Sequence, residues 1–71
     1  MPDRSAVCQQ FFTYHPPRDG QAERYGKIRK SAGELAKVIL ENTPECPDQE
    51  EAITRLREAV MFANAAISCW E

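Results

Sequence analysis

The residues of this chain best suited to chemistry lie in two neighbouring stretches, Phe12-Thr13-Tyr14-His15-Pro16-Pro17 and Arg24-Tyr25-Gly26-Lys27-Ile28-Arg29-Lys30-Ser31. Aromatic rings on a rigid, proline-held extended segment offer flat faces on which bases stack. Basic side chains one helical turn apart offer charge-assisted donors to phosphates. On a helix, Lys27, Lys30 and Ser31 share a face through i,i+3 and i,i+4 spacing, while Arg29 points to a neighbouring face. The set has the composition of half a nucleotide pocket. It also fits a plainer arrangement, in which the cations form a solvated face and Phe12 and Tyr14 dock an N-terminal arm onto the body of the protein.

Catalysis finds little support. The chain has no GxSxG, HExxH, P-loop or paired-carboxylate motif. Cys8 and His15 could be imagined as a nucleophile and base, but nothing in the sequence orients the histidine. Cys8, Cys46 and Cys69 are odd in number, form no CxxC pair and follow no secretory leader. They read as reduced thiols of a cytoplasmic protein, Cys69 as a small hydrophobe near an interface. His15 is seven residues from the nearest cysteine, so neither zinc nor any other cofactor is expected. No apolar run approaches membrane-spanning length.

The formal charge of −2 argues against a DNA or RNA polymer as partner. Charge is nonetheless uneven. Arg18, Arg24, Lys27, Arg29, Lys30 and Lys37 face only Asp19, Glu23 and Glu34 between positions 18 and 37, and acids predominate from Glu41 onward. A local basic patch in an acidic protein suits a small anion.

The elements that must carry these residues are helical. Asp3 is placed to cap a short helix through Ala6, Val7, Gln10 and Phe11. Tyr14 to Gly20, with two prolines and a glycine, must be an extended stretch and a turn. From Asp19 or Gly20, Tyr25, Ile28, Ala32, Leu35, Ala36, Ile39 and Leu40 recur at the helical spacing, and Asn42-Thr43-Pro44 ends the run. Asp48 and Glu51 have capping-box spacing. Beyond them Ala52, Ile53, Leu56, Ala59, Val60, Ala63, Ala66, Ile67 and Trp70 form a second stripe. The expected fold is all-α: one domain over 1–71, with residues 1–20 as a short N-terminal helix or arm and Pro-Pro turn. Helices over 21–42 and 48–70 form its antiparallel hairpin.

A chain of 71 residues has little core of its own. Met61, Phe62 and Ala65 lie off the second stripe, so that helix is apolar nearly all round and should be covered by further copies of the chain. Asn64, set among alanines, faces water, a ligand or an oligomer partner. A register-fixing bond across an interface is the working expectation.

Together these strings resemble a known family. Phe12-Thr13-Tyr14-His15-Pro16-Pro17, Gly20-Gln21, Arg24-Tyr25, Ile28-Arg29, Ala32, Leu35-Ala36 and Ile39 are followed, after a Cys-Pro turn, by Leu56 and Glu58-Ala59-Val60-Met61-Phe62-Ala63-Asn64-Ala65-Ala66-Ile67. The pattern, spanning about residues 11–70, resembles the helical hairpin domain of the phage sponges that counter the CBASS and Thoeris defences. The resemblance implies a homohexamer without catalytic activity, working in the cytoplasm of an infected bacterium. It implies that cyclic dinucleotides, and in other pockets cyclic trinucleotides, are sequestered between protomers without cleavage. Matched position by position, Tyr14 stacks on a base, Arg29 meets phosphates, and His15 and Ser31 make neighbouring polar contacts, while Arg24 belongs to the motif. Lys27 or Lys30 would add phosphate contacts. Relatives tend to carry a basic residue where this chain has Cys69. Two other roles stay open: a helical adaptor for a host protein, and a sponge for a Thoeris cyclic ADP-ribose signal.

Overall fold

A computed structural model describes residues 3–71; Met1 and Pro2, part of the expected N-terminal arm, lie outside the described residues. Those described are all-helical: α1 at Arg4–Phe12, α2 at Gln21–Asn42 and α3 at Pro47–Trp70. At 22 and 24 residues, α2 and α3 are rods of about 33 and 36 Å packed as a hairpin. Tyr25, Ile28, Ala32, Ala36 and Ile39 of α2 are withdrawn from water along one stripe, as are Ala52, Ile53, Leu56, Val60 and Ala63 of α3. Among the described residues, Ile67 alone of the apolar ones is buried outright. Two rods cannot enclose a core.

Among the described residues the buried polar ones are Gln21 and Gln49, which mark the two ends of the hairpin. At the loop end, Thr43 precedes Pro44 and is driven to extended geometry (φ −131°, ψ 152°), which stops α2. Thr43 Oγ1 donates to the Ile39 carbonyl at 2.7 Å and Asn42 Nδ2 to that of Val38 at 2.8 Å. These bonds satisfy acceptors that the helix end leaves open. Gln49 Nε2 reaches back from α3 to the Thr43 carbonyl at 3.2 Å.

Two expected caps do not form. Cys46, extended at φ −163° and ψ 168°, precedes Pro47 at the first helical position, and no side chain caps α3. Proline's fixed φ is already helical, so the helix begins ahead of Asp48 rather than at it. Asp48 and Glu50 therefore fall inside the first turn, where they act through the helix dipole. Likewise Asp3 precedes α1 without a side-chain capping bond. Its carbonyl accepts the Val7 N–H at 3.0 Å.

At the open end, Gly20 sits at φ 81° and ψ −15° in the turn closed by Gln21 N–H to the Arg18 carbonyl at 3.0 Å. That left-handed geometry is the one a type II turn demands of its third residue, and glycine adopts it without strain.

The chain exposes 5911 Å², against about 4,500 Å² for a compact monomer of its 8.1 kDa. Its radius of gyration is 15.4 Å, where a compact domain of 71 residues has about 11 Å. Much apolar surface faces outward.

Candidate ligand-binding arm and the cluster that fastens it

Tyr14 stands on the connection between α1 and α2, tied down on both sides. Before it, Thr13 Oγ1 donates to the Gln9 carbonyl at 2.5 Å; after it, His15 Nε2 donates to the Gln10 carbonyl at 2.6 Å. Both acceptors lie in the last turn of α1, where carbonyls lack helical partners. Tyr14 stays 82% exposed and Phe12 87% exposed. They do not dock the arm. Phe11 does so instead, edge-on to Trp70 of α3 with ring centroids 6.3 Å apart at 75°. The outward rings are left as stacking platforms.

The seven candidate residues divide by what already holds them. His15 is engaged by the Gln10 carbonyl and also lines a cleft of about 160 Å³ with Pro16, Pro17, Arg18, Gln21 and Ser68. Arg24 is engaged by Glu71, through Nη1 to Oε2 at 2.6 Å and Nη2 to Oε1 at 2.5 Å. Lys27 faces Glu23 across 3.9 Å of solvent-exposed helix, a pairing of little strength. Arg29, Lys30 and Ser31 are exposed, and among the described residues Arg29 and Lys30 make no ion pair. Arg29 lies over Gly26: its Nη2 is 4.0 Å from where a β-carbon there would sit. Tyr14, Arg29, Lys30 and Ser31 are thus the candidates left with free chemistry. No cleft described within the single chain gathers them.

Sequence reasoning passed over the cluster that fastens the arm. Gln21, 5% exposed, accepts the Arg18 N–H on Oε1 at 2.9 Å. Its Nε2 donates to the Ile67 carbonyl at 3.3 Å and to Glu71 Oε1 at 3.1 Å. Arg18 Nη1 reaches the Glu71 main-chain carbonyl at 3.4 Å. Bonds from Arg24 and then Gln21 hold the Glu71 carboxyl at about 2, down from 4.5, and the same carboxylate raises Arg24 above its ordinary value. Partners 47 and 50 residues apart leave no local spacing signal. The one available hint was the Gly20-Gln21 pair, already part of the resemblance.

On the far side of α3, Phe62, Ala65, Ala66 and Cys69 recur at i, i+3, i+4 and i+7 and, with Phe11 and Trp70, line an open apolar cleft of about 380 Å³. Phe62 is 74% exposed and Met61 58%. Asn64 Oδ1 is buried without a hydrogen-bond partner among the described residues, which costs about 1–3 kcal/mol while it stays so. Neither a group of three or more metal-ligating side chains nor a helix long and apolar enough to cross a membrane occurs among the described residues.

The family model described as "Acb2/Tad1, hairpin domain" matches residues 5–68, nearly the whole chain. Comparison with curated proteins and with solved structures returned no match. The match takes in the Tyr14 arm, all of α2, and α3 as far as Ser68. The chain belongs to the Acb2/Tad1 hairpin-domain family, the phage sponges that act against CBASS and Thoeris defence.

Proposed function

We propose that this chain binds cyclic dinucleotides and sequesters them uncleaved in the cytoplasm of an infected bacterium. The host effector is then never switched on. The observation that carries this reading is Tyr14: a largely exposed residue on a backbone pinned at both flanks, in a chain whose Arg29 and Lys30 make no ion pair among the described residues. Exposure of a fixed aromatic ring is a standing cost in water and a ready stacking surface for a base.

Two stacked bases contribute about 1–3 kcal/mol each, and two charge-assisted phosphate contacts about 1.5–3 kcal/mol each. Their sum, about 5–12 kcal/mol, spans roughly submillimolar to nanomolar dissociation constants. Ligand-binding groups that are already ordered favour the tight end. A sponge acts by stoichiometry, so tight binding suffices and no turnover is required.

Because neither cleft described in the single chain includes Tyr14, Arg29 or Lys30, the proposed pocket lies between copies. The surplus of about 1,400 Å² over a compact monomer exceeds the roughly 800 Å² that one partner contributes to a standard interface. Two unlike exposed apolar patches, Met61 and Phe62 with the α1 aromatics and Leu35 with Val38 on α2, favour a closed ring such as a hexamer over a dimer.

Calorimetry with a panel of cyclic dinucleotides tests the reading. Tyr14→Ala and Arg29→Ala should each weaken binding about tenfold or more, and nucleotide released by denaturation should be intact. Unchanged binding in both variants removes the assigned site. Recovery of linear nucleotide makes the protein an enzyme.

A further inference from the structure

We propose that Glu71 and Gln21 are positioning residues for ligand capture: fastened to each other across the open end of the hairpin, they hold the Tyr14 arm in its ligand-ready geometry. The inference rests on the assignment of Tyr14 as the stacking residue. Neither Glu71 nor Gln21 need touch the ligand.

The geometry is that of a knot joining three pieces of chain. Gln21 uses its acceptor on the arm, at the Arg18 N–H, and its donor nitrogen on α3, at the Ile67 carbonyl and Glu71 Oε1. A side-chain amide has two N–H groups, so both have partners and no donor capacity is left over. Glu71 closes the knot by taking both guanidinium prongs of Arg24 while its main-chain carbonyl receives Arg18 Nη1. The fork-on-fork pairing fixes orientation as well as contact.

Rigidity then passes along a short path. Between the Arg18 anchor and the His15 anchor lie only Pro16 and Pro17, whose rings fix φ. Tyr14 follows directly on the other side of His15. Its ring makes no strong contact of its own, so its place is set by these anchors. Remove the knot and Arg18 loses its tether to α3. The arm then retains its bonds to α1, a helix with no buried residue, and the backbone turn bond from Gln21 N–H to the Arg18 carbonyl. The ordering that folding had completed is deferred to ligand binding, at the expense of affinity.

The test measures amide hydrogen exchange and binding in Glu71→Ala, in Gln21→Ala and in the charge swap Arg24→Glu with Glu71→Arg. The ligands are cyclic di-AMP, cyclic di-GMP and 3′,3′-cyclic GMP-AMP. In both alanine variants, exchange at the Arg18 amide, whose N–H is held by Gln21 Oε1, should rise roughly tenfold while the central amides of α2 and α3 keep wild-type protection. Whichever of the three nucleotides binds the wild type should bind these variants roughly tenfold to thirtyfold more weakly. The swap restores the ion pair between positions 24 and 71 but offers Gln21 Nε2 no acceptor in place of Glu71 Oε1, so it should recover part of the affinity. Unchanged protection of the central amides is what separates this from a general loss of stability. Glu71→Gln, which keeps a hydrogen-bond acceptor, replaces Glu71→Ala if the latter does not fold. Wild-type exchange at the arm overturns the proposal, as does wild-type affinity alongside a crippled Tyr14→Ala. Full binding by Tyr14→Ala instead overturns the stacking assignment, and the exchange measurement still decides whether the knot orders the arm.

Discussion

At the scale of single residues, Glu71 carries the clearest pH signature. Its carboxyl is held at about 2 in the folded chain by Arg24 and Gln21, against 4.5 when free of them. The folded state therefore binds this proton more weakly than the unfolded state does. The contribution of Glu71 to stability is complete above about 4.5 and is lost as pH falls from there toward 2. The stability difference between wild type and Glu71→Gln, read from denaturant midpoints, should be constant near neutral pH, shrink through that window and vanish at its acid end. Other carboxylates titrate in both proteins and cancel in the comparison. Both partners are partly exposed, at 45% and 38%, so the difference should also shrink in 1 M salt, where the Debye length is about 3 Å. A difference that persists at pH 2 would place the effect in packing rather than in charge.

At the scale of elements, the turns and the short helix are the vulnerable parts. Gly20 holds φ 81°, and a β-carbon built there meets nothing within 4 Å. Gly20→Ala thus isolates the backbone cost of left-handed geometry, about 1–2 kcal/mol, and should lower the denaturant midpoint without altering the packed faces. α1 has nine residues, below the roughly 12–15 that an isolated helix needs in water. It persists by leaning on Trp70 and by the His15 and Thr13 bonds to its last turn. Phe11→Ala should melt it, seen as lost helical circular dichroism and fast exchange over residues 4–12 alone. The class of the fold was legible because helical periodicity is a property of each stretch by itself. Periodicity did not say which edge of a stripe is covered: Leu35 and Leu40 stay about half exposed while Ala32 and Ala36 turn inward. Nor could spacing reveal that Pro47 would outcompete Asp48 for the helix start, or that Gln21 and Glu71, fifty residues apart, would meet. In the candidate site, residue types announced the aromatic and basic chemistry. Which cations remain free was decided by the return of α3 alongside α2.

At the scale of the whole molecule, the exposed area states what the hairpin lacks. Met61 and Phe62 lie mostly in water beside an apolar cleft walled by Phe11 and Trp70, and Leu35 with Val38 repeats the pattern on α2. Fully burying one such side chain is worth about 1.5–3 kcal/mol, so a handful of them per protomer is comparable to the whole stability of a small domain. Association and folding should accordingly be coupled, with no stable isolated hairpin at low concentration. Light scattering over a thousandfold dilution should show one assembled mass that falls away together with helical signal. Phe62→Asp sets a charge into the greasiest patch. It should yield chains that neither assemble nor bind nucleotide, although Phe62 lies on the opposite side of α3 from its hairpin contact with α2. The α2 patch supplies the control, because Val38→Asp, distant in sequence from Tyr14 and from Phe62, should break assembly as well if two unlike faces close a ring. Should Val38→Asp assemble normally while Phe62→Asp does not, one face suffices and the closed particle is a dimer. Wild-type chains that stay folded and single at every dilution would mean that the ligand groups on α2 and the arm never meet a second set, and the clefts between copies would have no basis.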